Sequence, residues 1–334
     1  MKRAHARGHD LNEAEWLPGL TVVAAPILSS ASHAVYLKGS QGMNRTVSID
    51  GQIVANEQAK VSVLDHGLLY GDGLFEGIRV RAGRVFRIEQ HMARLQVGAR
   101  VLGLELPFDP QRMALVVTDT VRAFARKEAY VRLLVTRGEG PLGVDPTTCK
   151  KPTVICIAAE IALYSAEQRA QGLTLLTSSY RRPNPDAQDL AVKTLNYLGS
   201  ALAKQEARQR GADEALLLNQ SGRVAEASVA NVFVLRGRTL STPPAIDGCL
   251  EGINRGAVLE IARDLSFSVA ERSLGRRELL AADEVFLTGS GAGVVGVRSL
   301  DGRAIGRGRT GEVTLDIERR HRELAETEGP VTVV

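Results

Sequence analysis

The chain has 334 residues, of which 44% are hydrophobic and 24% charged, as in an average soluble globular protein. This composition excludes a largely disordered chain, a collagen-like repeat and a coiled coil, and the length suggests two domains. No apolar run reaches the roughly 18 residues of a membrane-spanning helix, and the net charge of +4 is spread along the chain. We therefore expect no membrane partner and no nucleic-acid partner.

The three cysteines, Cys149, Cys156 and Cys249, are odd in number and lack the spacing of metal ligands. This pattern favours a reducing compartment, and we predict a cytoplasmic protein without a metal site. Lysines are few beside arginines, so a lysine that is required for chemistry is easier to locate.

Residues 1–44 differ in character from the rest of the chain. A basic start leads through an acidic stretch to an apolar stretch at residues 17–28, which small residues follow. This order resembles a secretory signal, but acidic residues precede the apolar stretch, and Pro18 and Pro26 interrupt it. We predict a poorly ordered N-terminal extension, with a signal as the alternative.

Residues 45–160 are predicted to form a small α/β domain. Its predicted elements are strands at 47–49, 52–54, 74–81 and 84–88, helices at 89–102 and 109–126, and strands at 130–136 and 153–159. The two-residue turns Asp50-Gly51 and Ala82-Gly83 indicate hairpins. Asp109 is a typical N-cap before a proline at the first helical position.

Residues 161–171 are polar and are predicted to link this domain to a larger one at 172–334. Its predicted elements are a strand at 173–178, a loop at 180–189, a helix at 195–210, strands at 215–218 and 231–235, a helix at 252–264 and a strand at 284–288. Single helices separate these strands, but without the regular strand–helix alternation of βαβ units. This pattern indicates a barrel-like α/β domain.

Residues 291–296 satisfy the pattern G-x-G-x-x-G of dinucleotide-binding proteins. That pattern must open a helix within a βαβ unit, with an acidic residue about 20 positions later. Here Asp301-Gly302 turns the chain almost at once, so we predict no such domain.

Lys193 stands at the predicted start of the helix at 195–210. The positive end of a helix dipole disfavours an ammonium group, and a lysine with a lowered pKa can form a Schiff base. Considered alone, however, this motif is better explained by an exposed lysine at a helix start. Glu226 lies among small apolar residues between two β-rich runs, and a buried carboxylate there needs a cation. That cation is either an arginine or a cationic ligand such as a protonated pyridine.

Two further segments offer groups that bind anions. Gly252 opens the helix at 252–264, so the amides of Ile253 and Asn254 have no acceptor within the helix. Ser290-Gly291 adds a hydroxyl and free amides at a strand end. A phosphorylated pyridine aldehyde requires an amine, a carboxylate and an anion site, and these segments together supply all three.

These segments resemble the class IV aminotransferases, which are pyridoxal-phosphate enzymes of fold type IV. The resemblance covers about residues 47–314, and the matching segments, in family order, are 65–79, 89–95, 193–198, 226–233 and 250–255. It implies an α+β fold with a small α/β domain and a larger pseudo-barrel domain. It also implies pyridoxal 5'-phosphate as the cofactor and a homodimer.

The resemblance assigns a role to each matching residue. Lys193 would form the Schiff base and move the proton, and Glu226 would keep the pyridine nitrogen protonated. The implied cofactor-binding residues are Arg94, Lys193, Tyr197, Glu226, Leu250, Ile253, Asn254 and Ser290. Among these, Arg94, Ile253, Asn254 and Ser290 would bind the phosphate.

Within the family, the chain is most similar to the branched-chain amino acid aminotransferases. The similarity lies in the aromatic residues at 70 and 75, the strand at 130–132 and the loop at 136–146, which in that subgroup reaches into the partner's site. It implies amino transfer between branched-chain L-amino acids and 2-oxoglutarate. The implied substrate-binding residues are Tyr70, Phe75, Arg79, Tyr130, Arg132, Ser290 and Gly291.

Three features depart from that subgroup. Ala230 replaces the usual glutamate, Asn254 replaces a threonine, and the spacing from Lys193 to Asn196 is similar to that of D-amino-acid aminotransferases and aminodeoxychorismate lyases. A D-amino-acid or (R)-amine aminotransferase and a 4-amino-4-deoxychorismate lyase therefore stay open. A noncatalytic carrier of pyridoxal phosphate would be expected to lack Lys193, which is present.

Overall fold

Two β-sheets dominate the computed structural model, which describes residues 45–184, 186 and 189–333. The predicted extension at 1–44 lies outside the described residues, and the described residues form one compact unit. Helices and two sheets in this arrangement confirm the predicted α+β class. The domain boundary near residue 160 and the linker at 161–171 remain predictions.

The first sheet is antiparallel and contains the two predicted hairpins. Its strands are β1 (Arg45–Ile49), β2 (Gln52–Val54), β3 (Gly73–Arg81), β4 (Arg84–Val85), β5 (Ala129–Thr136) and β6 (Thr153–Ala159), in the order β2-β1-β6-β5-β3-β4. Helices α1 (His66–Tyr70), α2 (Ile88–Val101) and α3 (Pro110–Phe124) belong to the same part of the chain. The predicted N-cap is confirmed, since the Asp109 carboxylate accepts a hydrogen bond from the Arg112 amide at 2.7 Å.

The second hairpin is shorter than predicted, and the expected strand at 84–88 is wrong beyond Val85. Arg87 has a left-handed backbone with φ of 50°, which ends the extended segment before α2 begins. Its guanidinium pairs with Glu260 at 2.5 Å and with Glu328 at 3.2 Å. Both partners are distant in sequence, so local propensity gives no sign of this turn.

The second sheet is mixed. Its strands are β7 (Leu173–Arg181), β8 (Glu214–Leu218), β9 (Val224–Ala227), β10 (Asn231–Arg236), β11 (Thr239–Thr242), β12 (Ser268–Glu271), β13 (Glu284–Gly289), β14 (Gly293–Leu300) and β15 (Arg303–Ala304). The order is β12-β11-β10-β13-β14-β7-β8-β9, with β15 beside β14. The remaining helices are α4 (Ala166–Gln171), α5 (Leu198–Gln209), α6 (Ile253–Asp264), α7 (Arg276–Leu280) and α8 (Glu312–Thr327).

The glycine-rich segment at 291–296 comprises the end of the turn after β13 and the first four residues of β14, which pairs antiparallel with β13. No helix begins there, whereas a dinucleotide-binding pattern must open one. Among the described residues, no helix has the length and apolar character needed to cross a membrane.

Several elements differ from the expectations. Strand β7 continues to Arg181, three residues past its predicted end, and α4 lies inside the predicted linker behind a capping box formed by Ser165 and Gln168. Helix α8 was not predicted, and it packs against α6 and β14. The helix expected from residue 195 begins only at Leu198, so Lys193 is not at a helix start.

Candidate active site

A cavity of about 360 Å³ opens between side chains of both sheets. It collects most of the residues that the sequence singled out. Those that line it are Phe75, Arg94, Tyr130, Arg132, Lys193, Tyr197, Glu226, Leu250, Ile253, Asn254, Ser290 and Gly291.

Lys193 is held in place by pairing with β3 and not by a helix. Its carbonyl accepts a hydrogen bond from the Phe75 amide at 3.0 Å, and Thr194 forms a β-bridge with Leu74. The prediction that Lys193 lies at the positive end of a helix dipole is therefore wrong. The segment is not helical because β3, more than a hundred residues earlier, supplies backbone partners that sequence periodicity cannot show.

The Lys193 amine has a depressed pKa all the same. Burial, and then the positive charge of Arg94, lowers the pKa of Lys193 from 10.5 to about 8. Such a shift corresponds to about 3 kcal/mol of bias toward the neutral amine. The amine donates a hydrogen bond to the Tyr197 hydroxyl at 2.8 Å and lies 4.2 Å from the centre of the Phe75 ring. A nucleophilic amine is thus fixed at the cavity wall.

Glu226 lies on β9 and is buried beside the cavity. Its carboxylate pairs with Arg182 at 2.8 Å and accepts hydrogen bonds from the Leu250 amide at 3.1 Å and the Asn231 side chain at 3.3 Å. Burial raises the pKa of Glu226, and the Arg182 guanidinium opposes that rise. The arginine partner considered from the sequence is therefore present. A carboxylate has lone pairs for further donors, so this pairing leaves room for a cationic ligand.

Arg94 is fixed by a buried carboxylate on the neighbouring strand. Its Nε and Nη2 donate to the two oxygens of Glu76 at 2.8 and 2.6 Å, and its Nη1 donates to the Glu251 carbonyl at 2.8 Å. His91 donates from Nδ1 to the same carboxylate at 2.7 Å. Burial alone would raise the pKa of Glu76, but Arg94 and His91 lower it to about 2. Glu76 thus stays ionised and aligns the guanidinium.

The N-terminus of α6 provides the expected anion site. Gly252 is the N-cap, and a side chain there would place its Cβ 2.2 Å from the Asn231 amide oxygen, so only glycine allows this approach. The side chain of Asn254 donates to the Ser290 hydroxyl at 2.8 Å and accepts from His321 Nε2 at 2.7 Å. The free amides of the first helical turn, together with this hydroxyl, can bind a phosphate.

A face of β3 and β5 forms the other wall of the cavity. Arg132 lies over the rings of Phe75 and Tyr130, with its guanidinium carbon 4.6 and 5.6 Å from their centres. Among the described residues, its buried Nε has no hydrogen-bond partner and its guanidinium no carboxylate partner. Gly77 leaves space for the Tyr130 hydroxyl, which would lie 2.1 Å from a Cβ at that position.

Two predicted substrate-binding residues lie elsewhere. Tyr70 is partly exposed and its hydroxyl donates to the Leu142 carbonyl, which ties it to the loop at 136–146. Arg79 lines a second cavity and reaches the first only indirectly, because its Nη2 donates to the Gly291 carbonyl at 2.6 Å. Their roles in substrate binding remain predictions.

Three residues that complete the site were not predicted. Arg182 pairs with Glu226, Glu76 orients Arg94, and the buried Thr288 hydroxyl faces the cavity without a hydrogen-bond partner in the described chain. Glu76 carried a usable signal, since a lone carboxylate within an apolar strand is the same feature that drew attention to Glu226. Arg182 carried none, because its partner lies 44 positions away.

Comparison with known proteins identifies the family of this chain. The family model described as amino-transferase class IV matches residues 73–300. A branched-chain-amino-acid aminotransferase of Escherichia coli strain K12 is 36% identical over 81% of this chain and 89% of its own length. One from Pseudomonas aeruginosa is 34% identical over 82% of this chain and 91% of its own length.

Solved structures of branched-chain amino acid aminotransferases are similar to this chain. The crystal structure of an Escherichia coli branched-chain amino acid aminotransferase is similar with a TM-score of 0.81 and 35% identity, covering 85% of this chain and 96% of that one. The branched-chain amino acid aminotransferase from Thermobaculum terrenum, solved in its PLP-bound holo-form, gives a TM-score of 0.76 and 29% identity over 84% and 94%. The chain belongs to the class IV aminotransferases.

Proposed function

We propose that this protein is a branched-chain amino acid aminotransferase that moves an amino group between branched-chain L-amino acids and 2-oxoglutarate. The observation that carries the proposal is the Lys193 amine, which shares one cavity with the Glu226 carboxylate and the anion site of α6. Relatives that match over most of the chain bear this activity in their names.

The cavity fits pyridoxal 5'-phosphate. The phosphate would be held by the amides of Ile253 and Asn254, the Ser290 hydroxyl and an N–H group of the Arg94 guanidinium. Glu226 would face the ring nitrogen. Leu250 would pack on the ring, and the Thr288 hydroxyl, which lacks a partner among the described residues, is a further donor inside the cavity. When bound, the cofactor supplies an electron sink for the carbanion that forms at the substrate α-carbon.

Lys193 would carry the proton between the substrate and the cofactor. Its pKa of about 8 lets the amine accept and release a proton near neutral pH, which is the requirement for a general acid and base. Tyr197 accepts the amine's hydrogen bond and keeps the nitrogen at the cavity wall.

The substrate pocket would combine an apolar wall with the Arg132 cation. Phe75, Leu134, Leu163 and Val229 line it and suit leucine, isoleucine and valine side chains. Arg132 would serve the second carboxylate of glutamate, because its charge has no carboxylate partner within the described ranges. The Ser290-Gly291 turn would bind the α-carboxylate that both kinds of substrate share.

We also propose a homodimer and a cytoplasmic location. Exposed apolar side chains, Val63, Leu68, Leu142 and Val144, lie close along the chain to Tyr70 or within the loop that contacts it. Such a patch favours an interface with a second copy. The free cysteines of the described chain suit a reducing compartment.

A panel of amino donors tests the proposal. The purified enzyme with pyridoxal phosphate is given L-leucine, L-isoleucine, L-valine, D-alanine or (R)-1-phenylethylamine, with 2-oxoglutarate as acceptor, and the oxo acid or ketone formed from each donor is measured. We expect each branched-chain substrate to exceed the D-amino acid and the amine by about two orders of magnitude in kcat/KM. A preference for D-alanine or for the amine would overturn the proposed substrate class.

A further inference from the structure

A second cavity, of about 320 Å³, lies beside the Gly291 turn, and Ile161 is the described residue that its lining shares with the substrate pocket. Side chains from β3, from α4 and from α8 surround it. Neither the family match nor the names of the relatives assign it a ligand. Its lining is strongly basic.

Four arginines line this basic cavity: Arg79, Arg81, Arg169 and Arg322. Glu318 is the one carboxylate among the described lining residues, and it pairs with Arg322 at 3.5 Å. Arg81 pairs with a glutamate outside the lining at 2.9 Å. Arg79 and Arg169 form no salt bridge within the described part of the chain. The lining therefore holds more positive charge than the described carboxylates neutralise through salt bridges.

The crowding of these cations destabilises the charged form of Arg79. Burial lowers the pKa of Arg79, and the charges of Arg169 and Arg81 lower it further. A guanidinium that is removed from water without a carboxylate partner is unfavourable unless an anion joins it. The planar guanidinium is also the group best suited to bind carboxylate or phosphate oxygens in pairs.

Two hydrogen-bonded routes join the basic cavity to the candidate active site. Arg79 donates to the Gly291 carbonyl at 2.6 Å. His321, which lines the basic cavity, donates to Asn254 at 2.7 Å, and Asn254 in turn donates to Ser290 at 2.8 Å. An anion in this cavity would thus adjoin the turn that we assign to the substrate carboxylate, without entering the substrate pocket.

We propose that the basic cavity binds a small multivalent anion of tricarboxylate size as a ligand distinct from cofactor and substrate. Arg79 and Arg169 supply the free charges, and Arg322 adds a third guanidinium. The volume exceeds the need of a single monovalent anion, and the surplus of charge favours a ligand with more than one carboxylate. Anion binding can be measured without turnover, so this proposal does not depend on the identity of the amino donor.

Citrate is the probe, titrated calorimetrically into the holoenzyme in a chloride-poor buffer of low ionic strength. The double variant R169Q/R322Q removes two of the lining charges and leaves the residues of the candidate active site unchanged. R319Q/R320Q is the matched control, because both side chains are exposed on α8 and outside the lining. We expect one citrate per chain, bound about tenfold more weakly by the first variant and within twofold by the control.

A second measurement separates this cavity from the substrate pocket. The titration is repeated in saturating 4-methylvalerate, which mimics the substrate, and citrate should bind with unchanged affinity. If R169Q/R322Q fails to fold by circular dichroism, the charge-preserving R169K/R322K is used, and it should retain most of the binding. Three results would each overturn the proposal. The first is no binding at 10 mM citrate, which corresponds to a binding free energy of only about 3 kcal/mol. The others are competition by 4-methylvalerate and equal weakening of citrate binding in the control variant.

Discussion

Two groups of charged side chains meet in the candidate active site, and they differ in whether the protein itself neutralises them. Arg94 forms a salt bridge with the buried Glu76 at 2.6 Å, and Glu226 forms one with the partly buried Arg182 at 2.8 Å. Arg132 forms none among the described residues and lies over two aromatic rings. The first group adjoins the proposed cofactor site, and the second lies on the proposed substrate wall.

This difference suits the two ligands that we propose, a cofactor that stays bound and a substrate that is exchanged in every turnover. A paired charge keeps its position with or without a ligand, which suits a cofactor that remains bound through many turnovers. A cation without a carboxylate partner favours the arrival of an anion, which suits a substrate that enters and leaves. Changes in the paired group should therefore act on the cofactor, and changes in Arg132 should act only on substrates with a second carboxylate.

Lys193→Ala should have the largest effect, because it removes the amine that both groups surround. We expect transamination of L-leucine to fall by at least about 10³-fold, while pyridoxal phosphate still binds noncovalently. Turnover and equilibrium dialysis measure the two properties. Lys151→Ala, at an exposed lysine, should leave both unchanged. Residual activity above a few per cent would remove Lys193 from the mechanism.

Glu226→Gln should lower turnover by about 10²-fold with little change in fold. Without the carboxylate, the ring nitrogen of the bound cofactor loses its proton and the electron sink weakens. Steady-state rates and the visible spectrum of the holoenzyme measure this. The control is Glu251→Gln, which removes an exposed carboxylate nearby. An unchanged spectrum with unchanged turnover would leave Glu226 a purely structural role.

Glu76→Gln should weaken cofactor binding by about tenfold, because a neutral amide can accept only one of the two Arg94 hydrogen bonds and the guanidinium loses its charged partner. The Kd for pyridoxal phosphate is measured by fluorescence titration of the apoprotein, together with its melting temperature. Glu89→Gln, an exposed position on α2, serves as the control. A lower melting temperature with an unchanged Kd would show that Glu76 stabilises the fold and does not position Arg94.

Arg132→Leu should act selectively. We expect kcat/KM for L-glutamate and 2-oxoglutarate to fall about tenfold, whereas the values for L-leucine change less than threefold. The two half-reactions are measured separately by the change in cofactor absorbance. An equal loss for both substrates would mean that Arg132 supports the pocket as a whole and does not recognise a second carboxylate.

The smallest expected effect is a shift in pH dependence. Because burial and Arg94 depress the pKa of Lys193 to about 8, covalent uptake of pyridoxal phosphate by the apoprotein should rise as the pH increases through 8. Arg94→Gln removes a positive charge and leaves Glu76, which raises this pKa, so the midpoint should move upward. Borohydride trapping at each pH gives the profile. A midpoint that is unchanged or lower would contradict the electrostatic coupling.

Sequence reasoning found the groups that belong to short local motifs. Lys193, Glu226 and the α6 start at Gly252 each combine an unusual residue with an informative neighbourhood, and the structure brings them to one cavity. Hairpins and the α3 cap were equally local, because turn chemistry and capping act over two or three residues.

Partners that fold over from distant parts of the chain could not be predicted. Backbone pairing of Lys193 with β3 replaced the expected helix start, and the left-handed Arg87 shortened a predicted strand. Arg182 gave no sign of its ion pair with Glu226. In each case a tertiary contact outweighs local propensity, which contributes only a few tenths of a kcal/mol to about 1 kcal/mol per residue.

The most direct test is to find which residue carries the cofactor. The holoenzyme is reduced with borohydride and digested, and the phosphopyridoxyl group is located by mass spectrometry. We predict one group per chain, on the peptide that contains Lys193, and its loss when L-leucine is added before reduction without an acceptor. A group on another lysine such as Lys204, or none on any lysine, would contradict the assignment of the active site.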